Sequence, residues 1–503
     1  MAGPRDVDAS FLALPLSALT EAALTRAVDL GCEHADLRVE RIRTQSITLR
    51  DARLEALADG EDLGLAVRVV HEGTWGFAAG VVLTAAEAVR LAEQAVAVAR
   101  VSAALVTDRV ELAPEPPHEG AWVSPYDVDP FDVPDGEKTA LLTEWSERLL
   151  AADGVEHVTS GCTHVKEQKY YADTAGTRTR QQRVRIQPVF EALTVDRTTG
   201  AFESMRTLAP PAGRGWEYLT GGSYDWAGDL AQLPELLREK TKAPSVEPGR
   251  YDLVVDPSNL WLTIHESIGH ATELDRALGY EAAYAGTSFA TPDGLGTLRY
   301  GSGIMHVTGD RTAEHGLSTV GWDDEGVEAQ RFDIVRDGVL VGYQVDRNTA
   351  RLGGMARSNG CSFADSPGHV PVQRMANVSL QPADGGPDLA GLLGGVERGI
   401  YVVGDKSWSI DMQRYNFQFT GQRFFRIEGG RLAGQLRDVA YQATTTDFWG
   451  SMRAVGGPST YRLGGAFNCG KAQPGQVAPV SHGCPAALFE GVSILNTVQE
   501  GGR

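Results

Sequence analysis

Within six residues, His265-Glu266-Ser267-Ile268-Gly269-His270 sets two imidazoles around a carboxylate. Imidazole nitrogens bind zinc and a neighbouring carboxylate can act as general base, so this stretch holds most of a hydrolytic metal site. The better-known arrangement spaces the histidines four apart on one helical face. Here they are five apart. At 3.6 residues per turn, five residues advance roughly 500°, so on a regular helix the two side chains diverge by about 140°. One ion can take both only where the helix widens or kinks, as a π-bulge allows. Gly269 is the residue that tolerates such a distortion at least cost.

A site of this kind needs a firm base and further donors. The lead-in is apolar, Leu253-Val254-Val255 and then Leu260-Trp261-Leu262-Thr263-Ile264. Far downstream a thiol stands in a glycine-rich turn, Gly464-Gly465-Ala466-Phe467-Asn468-Cys469-Gly470-Lys471, where backbone can pack closely around an ion. Ser481-His482-Gly483-Cys484 offers a second His–Cys pair, but two ligands do not make a zinc site, so a structural or incidental role is expected. Asp323-Asp324-Glu325 reads as a solvated turn, because hard cations need more oxygens than three adjacent residues can aim. His306, His315 and His369 are candidates to stabilise an oxyanion. Arg414-Tyr415-Asn416 follows the polar-aromatic run 406–413 and fits a cleft wall or packing around an irregular strand equally well. No deep specificity pocket is evident.

The chain has 503 residues, 42% hydrophobic and 22% charged, ordinary values for a globular protein with two or three domains. A net charge of −20 disfavours nucleic acid as a partner. The one basic cluster, at 178–185, alternates like a strand and reads as a solvated face. No apolar run reaches the roughly 18 residues of a membrane helix, so no membrane is expected. The first residues lack a basic and then apolar leader. Five scattered cysteines, Cys32, Cys162, Cys361, Cys469 and Cys484, argue against a disulfide framework. A reducing cytoplasm is the expected compartment.

Periodicity predicts a helix over 17–31, strands over 34–49, 64–70 and 74–80, and a helix from an N-cap at Thr84 to about Val101. A proline-rich linker at 112–120 precedes a helix over 137–152 and strands over 157–164, 168–172 and 177–195. Another proline-bearing stretch at 242–250 marks a candidate boundary. Beyond it, Asp337-Gly338 predicts a hairpin over 333–343, and Gly429-Gly430 a second over 423–436, with a helix at 389–398. The fold class expected is α+β. Residues 1–245 would form an N-terminal α+β domain with long antiparallel strands, and 246–503 a β-rich C-terminal domain carrying the metal-binding helix.

These landmarks together resemble the TldD/PmbA family, the modulators of DNA gyrase, and within it the TldD-like metallopeptidase branch. The likeness covers most of the chain. Its markers are His265-Glu266 with His270, Asp323-Asp324-Glu325-Gly326, Gly342-Tyr343, Asn348 with Ala350-Arg351-Leu352, Arg374-Met375 with Asn377, Glu397 with Gly399-Ile400-Tyr401, and Cys469-Gly470-Lys471. The resemblance implies a zinc-dependent peptidase acting on unfolded or extended peptides with low sequence specificity. It implies a dimer too, with itself or with a paralogous TldE/PmbA-like subunit. Carried onto this sequence, His265, His270 and Cys469 are the zinc ligands and Glu266 the catalytic base. Three protein ligands leave a fourth position for water, as catalytic zinc requires, and a thiolate among them predicts modest turnover. Two alternatives remain from other classes. One is a regulatory subunit of such a heterodimer, against which the complete His-Glu-His-Cys set argues. The other is a natural-product biosynthetic enzyme using the same zinc site.

Overall fold

The computed structural model describes residues 6–106, 108–195, 200 and 202–500. Its N-terminal half is built on a seven-stranded sheet of β1 (His34–Arg50), β2 (Arg53–His71), β3 (Thr74–Gly80), β4 (Glu119–Val123), β5 (His157–Asp173), β6 (Arg178–Val195) and β7 (Phe202–Arg206). The order is β3-β2-β1-β5-β6-β4, with β7 also on β6; β4 runs parallel to β6 and every other pair is antiparallel. Helix Ala85–Ser102 starts where the sequence asks, Thr84 accepting the Glu87 N–H at 3.3 Å. Its Leu91, Ala92 and Ala95 join Leu19 and Ala23 of helix Leu16–Asp29 over Leu37 and Val67. Helix Trp226–Lys242 has no counterpart in the sequence reading. Pro234 in its interior disguises an apolar stripe of Leu230, Leu233 and Leu237 that packs on Trp145 and Phe190.

The strands are longer than periodicity predicts. The two segments expected at 157–164 and 168–172 are one strand, and β2 begins eleven positions before the expected start at Gly64. In β5 the cause is buried charge, whereas the added residues of β2, exposed from Arg53 to Asp62, belong to the strand through their pairing with β1. Glu167 and Lys169 lie inward at the middle of β5, where alternation of apolar and polar residues disappears. The cluster at 178–185 is likewise no solvated face: Arg183 and Arg185 are buried, both bound to Glu167. Asp323-Asp324-Glu325 is not a solvated turn either. Lys169 meets Asp324 at 2.8 Å and Arg68 meets Glu325 at 2.9 Å, while Asp323 accepts the Glu325, Val327 and Ser362 N–H groups. Asp324 and Glu325 are buried here because opposite charges from the N-terminal sheet arrive to meet them, and Asp323 because backbone N–H groups do.

In the C-terminal half, strands Gly249–Val255, Ala487–Asn496, Val439–Thr444, Asn416–Glu428 and Arg398–Ile410 pair in that cyclic order. The last pairs with the first, closing a barrel. Both foreseen hairpins form, on left-handed Asp337-Gly338 (φ 52° and 74°) and Gly429-Gly430 (φ 53° and 74°). The helix expected at 389–398 stops at Gly394, and Arg398 opens a barrel strand instead. Among the described residues no helix is long and apolar enough to cross a membrane.

Barrel strand Gly249–Val255 runs directly into helix Pro257–Ile264. Asp256 caps that helix by accepting the Ser258 N–H at 2.9 Å, and Pro257 fits at its first turn. Asn259 then pins it to the barrel, donating to the carbonyls of Gly404 and Thr420, both at 3.0 Å. The segment that follows is therefore firmly held.

Candidate metal centre

From His265 to Gly269 the helix widens into a π-turn, and the His270 N–H donates to the His265 carbonyl five residues back. This is the distortion that the spacing requires. It turns the two imidazoles toward each other, with ring centroids 4.7 Å apart. The carbonyls that the widening frees are taken up by side chains. Tyr300 donates its hydroxyl to Ser267, Gln344 its amide to Gly269 at 2.7 Å, and Ser288 its hydroxyl to Ala271 at 2.6 Å. Gly269 serves this turn through space rather than through backbone freedom. Its φ is an ordinary −52°, but a Cβ there would stand 2.7 Å from the Met375 sulfur.

Cys469 comes from strand Arg462–Lys471, paired with strand Gln476–Cys484. The register slips between Ala466 and Cys469, where Phe467 and Asn468 together face Pro479. Proline has no N–H for the ladder, which accounts for the bulge. It delivers the Cys469 sulfur to 3.5 Å from His270 Nε2. One donor atom from each of His265, His270 and Cys469 lies within 4.8 Å of the others, and all three residues are buried. A nitrogen and a sulfur bound tetrahedrally to one zinc, at about 2.0 and 2.3 Å, are themselves about 3.5 Å apart. The residues fit the ion.

Hydrogen bonds decide which ring nitrogens are free. His482 Nδ1 donates to the Val378 carbonyl at 2.8 Å, so its Nε2 is the acceptor facing His265 Nδ1 at 2.7 Å. His270 Nδ1 faces Glu273 at 2.9 Å. Each candidate ligand therefore carries its proton on Nδ1 and a bare lone pair on Nε2, the carboxylate–histidine pattern of zinc sites. Burial pushes His265, His270 and His482 below the ordinary imidazole range, which keeps them neutral. Burial acts to raise the Cys469 thiol, and the Arg374 guanidinium beside it acts in the opposite direction. Burial acts on Glu273 in the same direction, and Lys471 (3.1 Å away) with His270 keeps it well below the carboxylate range.

Glu266 is buried next to His265, with one oxygen 3.3 Å from Arg414. The other histidines considered for an oxyanion are bound elsewhere: His306 to Asp337, His315 to the Gly213 carbonyl and His369 to Asp365. Cys484 stands apart, its thiol 3.7 Å from the Pro257 carbonyl. His482 is structural, as expected, but it is structural to this centre, lying against Trp261 on one face. Glu273 and Lys471 were not singled out as functional from sequence. An acid three residues after His270 was the available signal, since a metal-bound imidazole needs an acceptor for its other N–H.

A cavity of about 1360 Å³ lies beside the centre, between the N-terminal sheet and the barrel. Pro188, Arg206, Tyr224, Trp408 and Arg423 line it, and it approaches the centre at Trp261 and Asn468. His265, Glu266 and His270 are not in its wall. It escaped sequence reading because its walls come from segments scattered between Gln187 and Ala486.

Two imidazoles and a thiol converging beside a carboxylate have the make-up of a metallopeptidase centre. Residues 248–496 match the PmbA/TldA metallopeptidase C-terminal domain, and residues 35–99 match PmbA/TldA metallopeptidase domain 1. The chain belongs to the PmbA/TldD metallopeptidase family. It is 28% identical over 469 residues to a metalloprotease of Methanothermobacter thermautotrophicus, covering 92% of this chain and 96% of that one. To the zinc metalloprotease TldD homolog of Saccharolobus solfataricus it is 22% identical over 475 residues, with the same coverage. The fold is shared with TldE from Thermococcus kodakarensis, at a TM-score of 0.69 and 15% identity over 95% of this chain and 99% of that one.

Proposed function

We propose that this chain is a zinc-dependent peptidase that hydrolyses amide bonds in unfolded or extended peptides with little sequence preference. The observation that carries this reading is the convergence of His265, His270 and Cys469 beside Glu266. The three residues hold the ion through His265 Nε2, His270 Nε2 and the Cys469 sulfur. When bound, zinc lowers the pKa of a water ligand to about 7 and polarises the substrate carbonyl. Glu266 takes the proton of the attacking water and returns it to the departing amine nitrogen. His482 and Glu273 fix the orientation of the imidazoles, and the buried setting limits bulk water.

The substrate class follows from the surroundings. Among the described residues strand Arg462–Lys471 pairs with a single strand, and its residues Gly464 to Asn468 border the large cavity. An extended peptide added along such an edge binds through its backbone, which gives affinity without side-chain selectivity. The chain divides into an α+β domain, 1–245, and a metallopeptidase domain, 246–503. It works as a dimer with itself or with a TldE-like paralogue, a reading supported by the kinship with TldE and by the β2 edge from Arg53 to Leu63, which has no outer strand partner among the described residues. All five cysteines are unpaired, in keeping with a reducing cytoplasm.

Elemental analysis of the purified protein should find about one zinc per chain. Glu266→Gln should keep that zinc while hydrolysis of an unfolded casein falls by roughly 10²–10⁴. A protein without transition metal, inactive after zinc is restored, would end the catalytic reading. Light scattering at micromolar concentration tests the dimer: a fully active monomer refutes it.

A further inference from the structure

Arg414 is held in an unfavourable backbone conformation. Its φ is +62°, a left-handed value that is strained for a non-glycine residue. The turn is clamped from three sides. The Asp411 carboxylate accepts the N–H groups of Gln413, Tyr415 and Asn416 at 3.1, 2.8 and 3.0 Å. Thr445 donates its hydroxyl to the Arg414 carbonyl at 2.8 Å. Thr287 and Phe289 donate their N–H groups to the carbonyls of Met412 and Gln413.

The clamp turns the side chain inward, where it is 14% exposed. Nη1 lies 3.3 Å from Glu266 and Nη2 lies 3.2 Å from the Ala285 carbonyl, while the buried Nε has no hydrogen-bond partner among the described residues. An arginine present only to neutralise a carboxylate settles into two short parallel hydrogen bonds with it. Arg414 makes one long contact instead and keeps donor capacity in reserve. The histidines that could have served an oxyanion are bound elsewhere, and among the described residues Arg414 is the cation paired with the catalytic carboxylate.

We propose that Arg414 is a catalytic residue, donating guanidinium N–H groups to the oxygen of the scissile carbonyl as negative charge develops there. This rests on the peptidase reading above. In the step it serves, Glu266 removes a proton from water, the water oxygen bonds to the carbonyl carbon, and the π pair moves onto the carbonyl oxygen. The negative charge that Arg414 faced on Glu266 is then on that oxygen. As the C=O bond re-forms, the C–N bond breaks and the nitrogen takes the proton from Glu266. The charge balances at each stage, and the guanidinium never stands without a counter-charge. Loss of one such donor lowers kcat by about 10²–10³.

The test uses the full-length, zinc-loaded protein with Arg414→Gln and Arg414→Lys. Four quantities are read: bound zinc, kcat and KM on an unfolded peptide, and affinity for a phosphinic peptide that mimics the tetrahedral anion. In Arg414→Gln, zinc and KM should hold within about threefold, while kcat and phosphinic-peptide affinity both fall about 10²–10³. Arg414→Lys should recover part of each. Unchanged kcat and phosphinic affinity overturn the proposal, as does a raised KM at constant kcat, which marks ground-state docking. Zinc lost in the Gln variant and regained with activity in the Lys variant assigns a structural role and overturns it too. Wild-type protein that holds zinc but neither cleaves peptides nor binds the phosphinic peptide removes the peptidase reading itself, and Arg414's role with it.

Discussion

Between the N-terminal sheet and the loop at Asp324, Glu167 accepts from Arg183 at 2.9 Å and Arg185 at 3.0 Å, while Lys169 reaches Glu40, Glu167 and Asp324. Around Cys469 a second group of polar residues is just as deeply buried. The two differ in where their atoms point. In the seam, cations face anions, and the charges close on one another. At the metal centre, His482 and Glu273 accept from the Nδ1 atoms of His265 and His270, and what remains are three lone-pair holders aimed together. Lone pairs repel one another unless a cation lies between them. Burial and displaced pKa values occur in both clusters, so neither separates function from architecture; convergence of like donors does.

The sharpest way to break the contrast is to remove one converging atom. Cys469→Ala should empty the site and reduce hydrolysis to background, because two imidazoles hold zinc weakly. Cys484→Ala, in the same pair of strands, should leave both zinc and turnover intact, its thiol lying in the apolar core and donating to the Pro257 carbonyl. Elemental analysis and casein hydrolysis on the two variants decide it. The reverse pattern would mean that the third ligand has been misassigned.

A smaller effect sharpens the boundary between holding an ion and orienting its holder. His482→Leu removes the acceptor for His265 Nδ1 and should weaken zinc binding by about 10–100-fold, the usual cost of losing such a partner. His482→Gln restores an acceptor oxygen and should lose less. Competition against a chromophoric chelator measures both. Equal affinities across the three proteins would leave His482 as packing beneath Trp261 and nothing more.

What could be read in the sequence follows from the range of each interaction. The widened turn at His265 was legible because helix geometry over five residues depends on those residues alone. Glu273 was legible in principle, being three residues from His270. His482 was not, since it lies 217 residues from the imidazole it orients and reaches it only through the pairing of strand Gln476–Cys484. The hairpin turns were legible from Asp337-Gly338 and Gly429-Gly430, whereas β5 read as two pieces because Glu167 and Lys169 interrupt its alternation. Asp323-Asp324-Glu325 and the basic cluster of β6 misled for one reason. A charged run looks solvated until the opposite charge is brought against it, from 155 and 257 residues away for Asp324 and Glu325 and from 16 and 18 residues away, across the paired strand, for Arg183 and Arg185.

The least effect is expected in the seam itself, as a dependence on pH. Glu40 is fully buried, with Arg38 on its own strand, Lys169 and Glu167 from β5, and Asp324 from the facing loop. Burial pushes its carboxyl up to about 7 despite the cations, with Glu167 and Asp324 adding to the rise. In the unfolded chain the group titrates near 4.5. Between those values the folded protein keeps a proton that the unfolded chain has released. The contribution is therefore fully present below pH 4.5 and is lost as pH rises to 7. Glu40→Gln stays neutral throughout and cannot lose it. The stability of the variant relative to wild type should rise by about 1–2 kcal/mol from pH 5 to 7, then level off. Urea denaturation of both zinc-saturated proteins at pH 5, 6, 7 and 8 provides the measurement. A difference that stays constant across the series would show that Glu40 is ionised throughout, so that the seam closes its charges as completely as its other pairs imply.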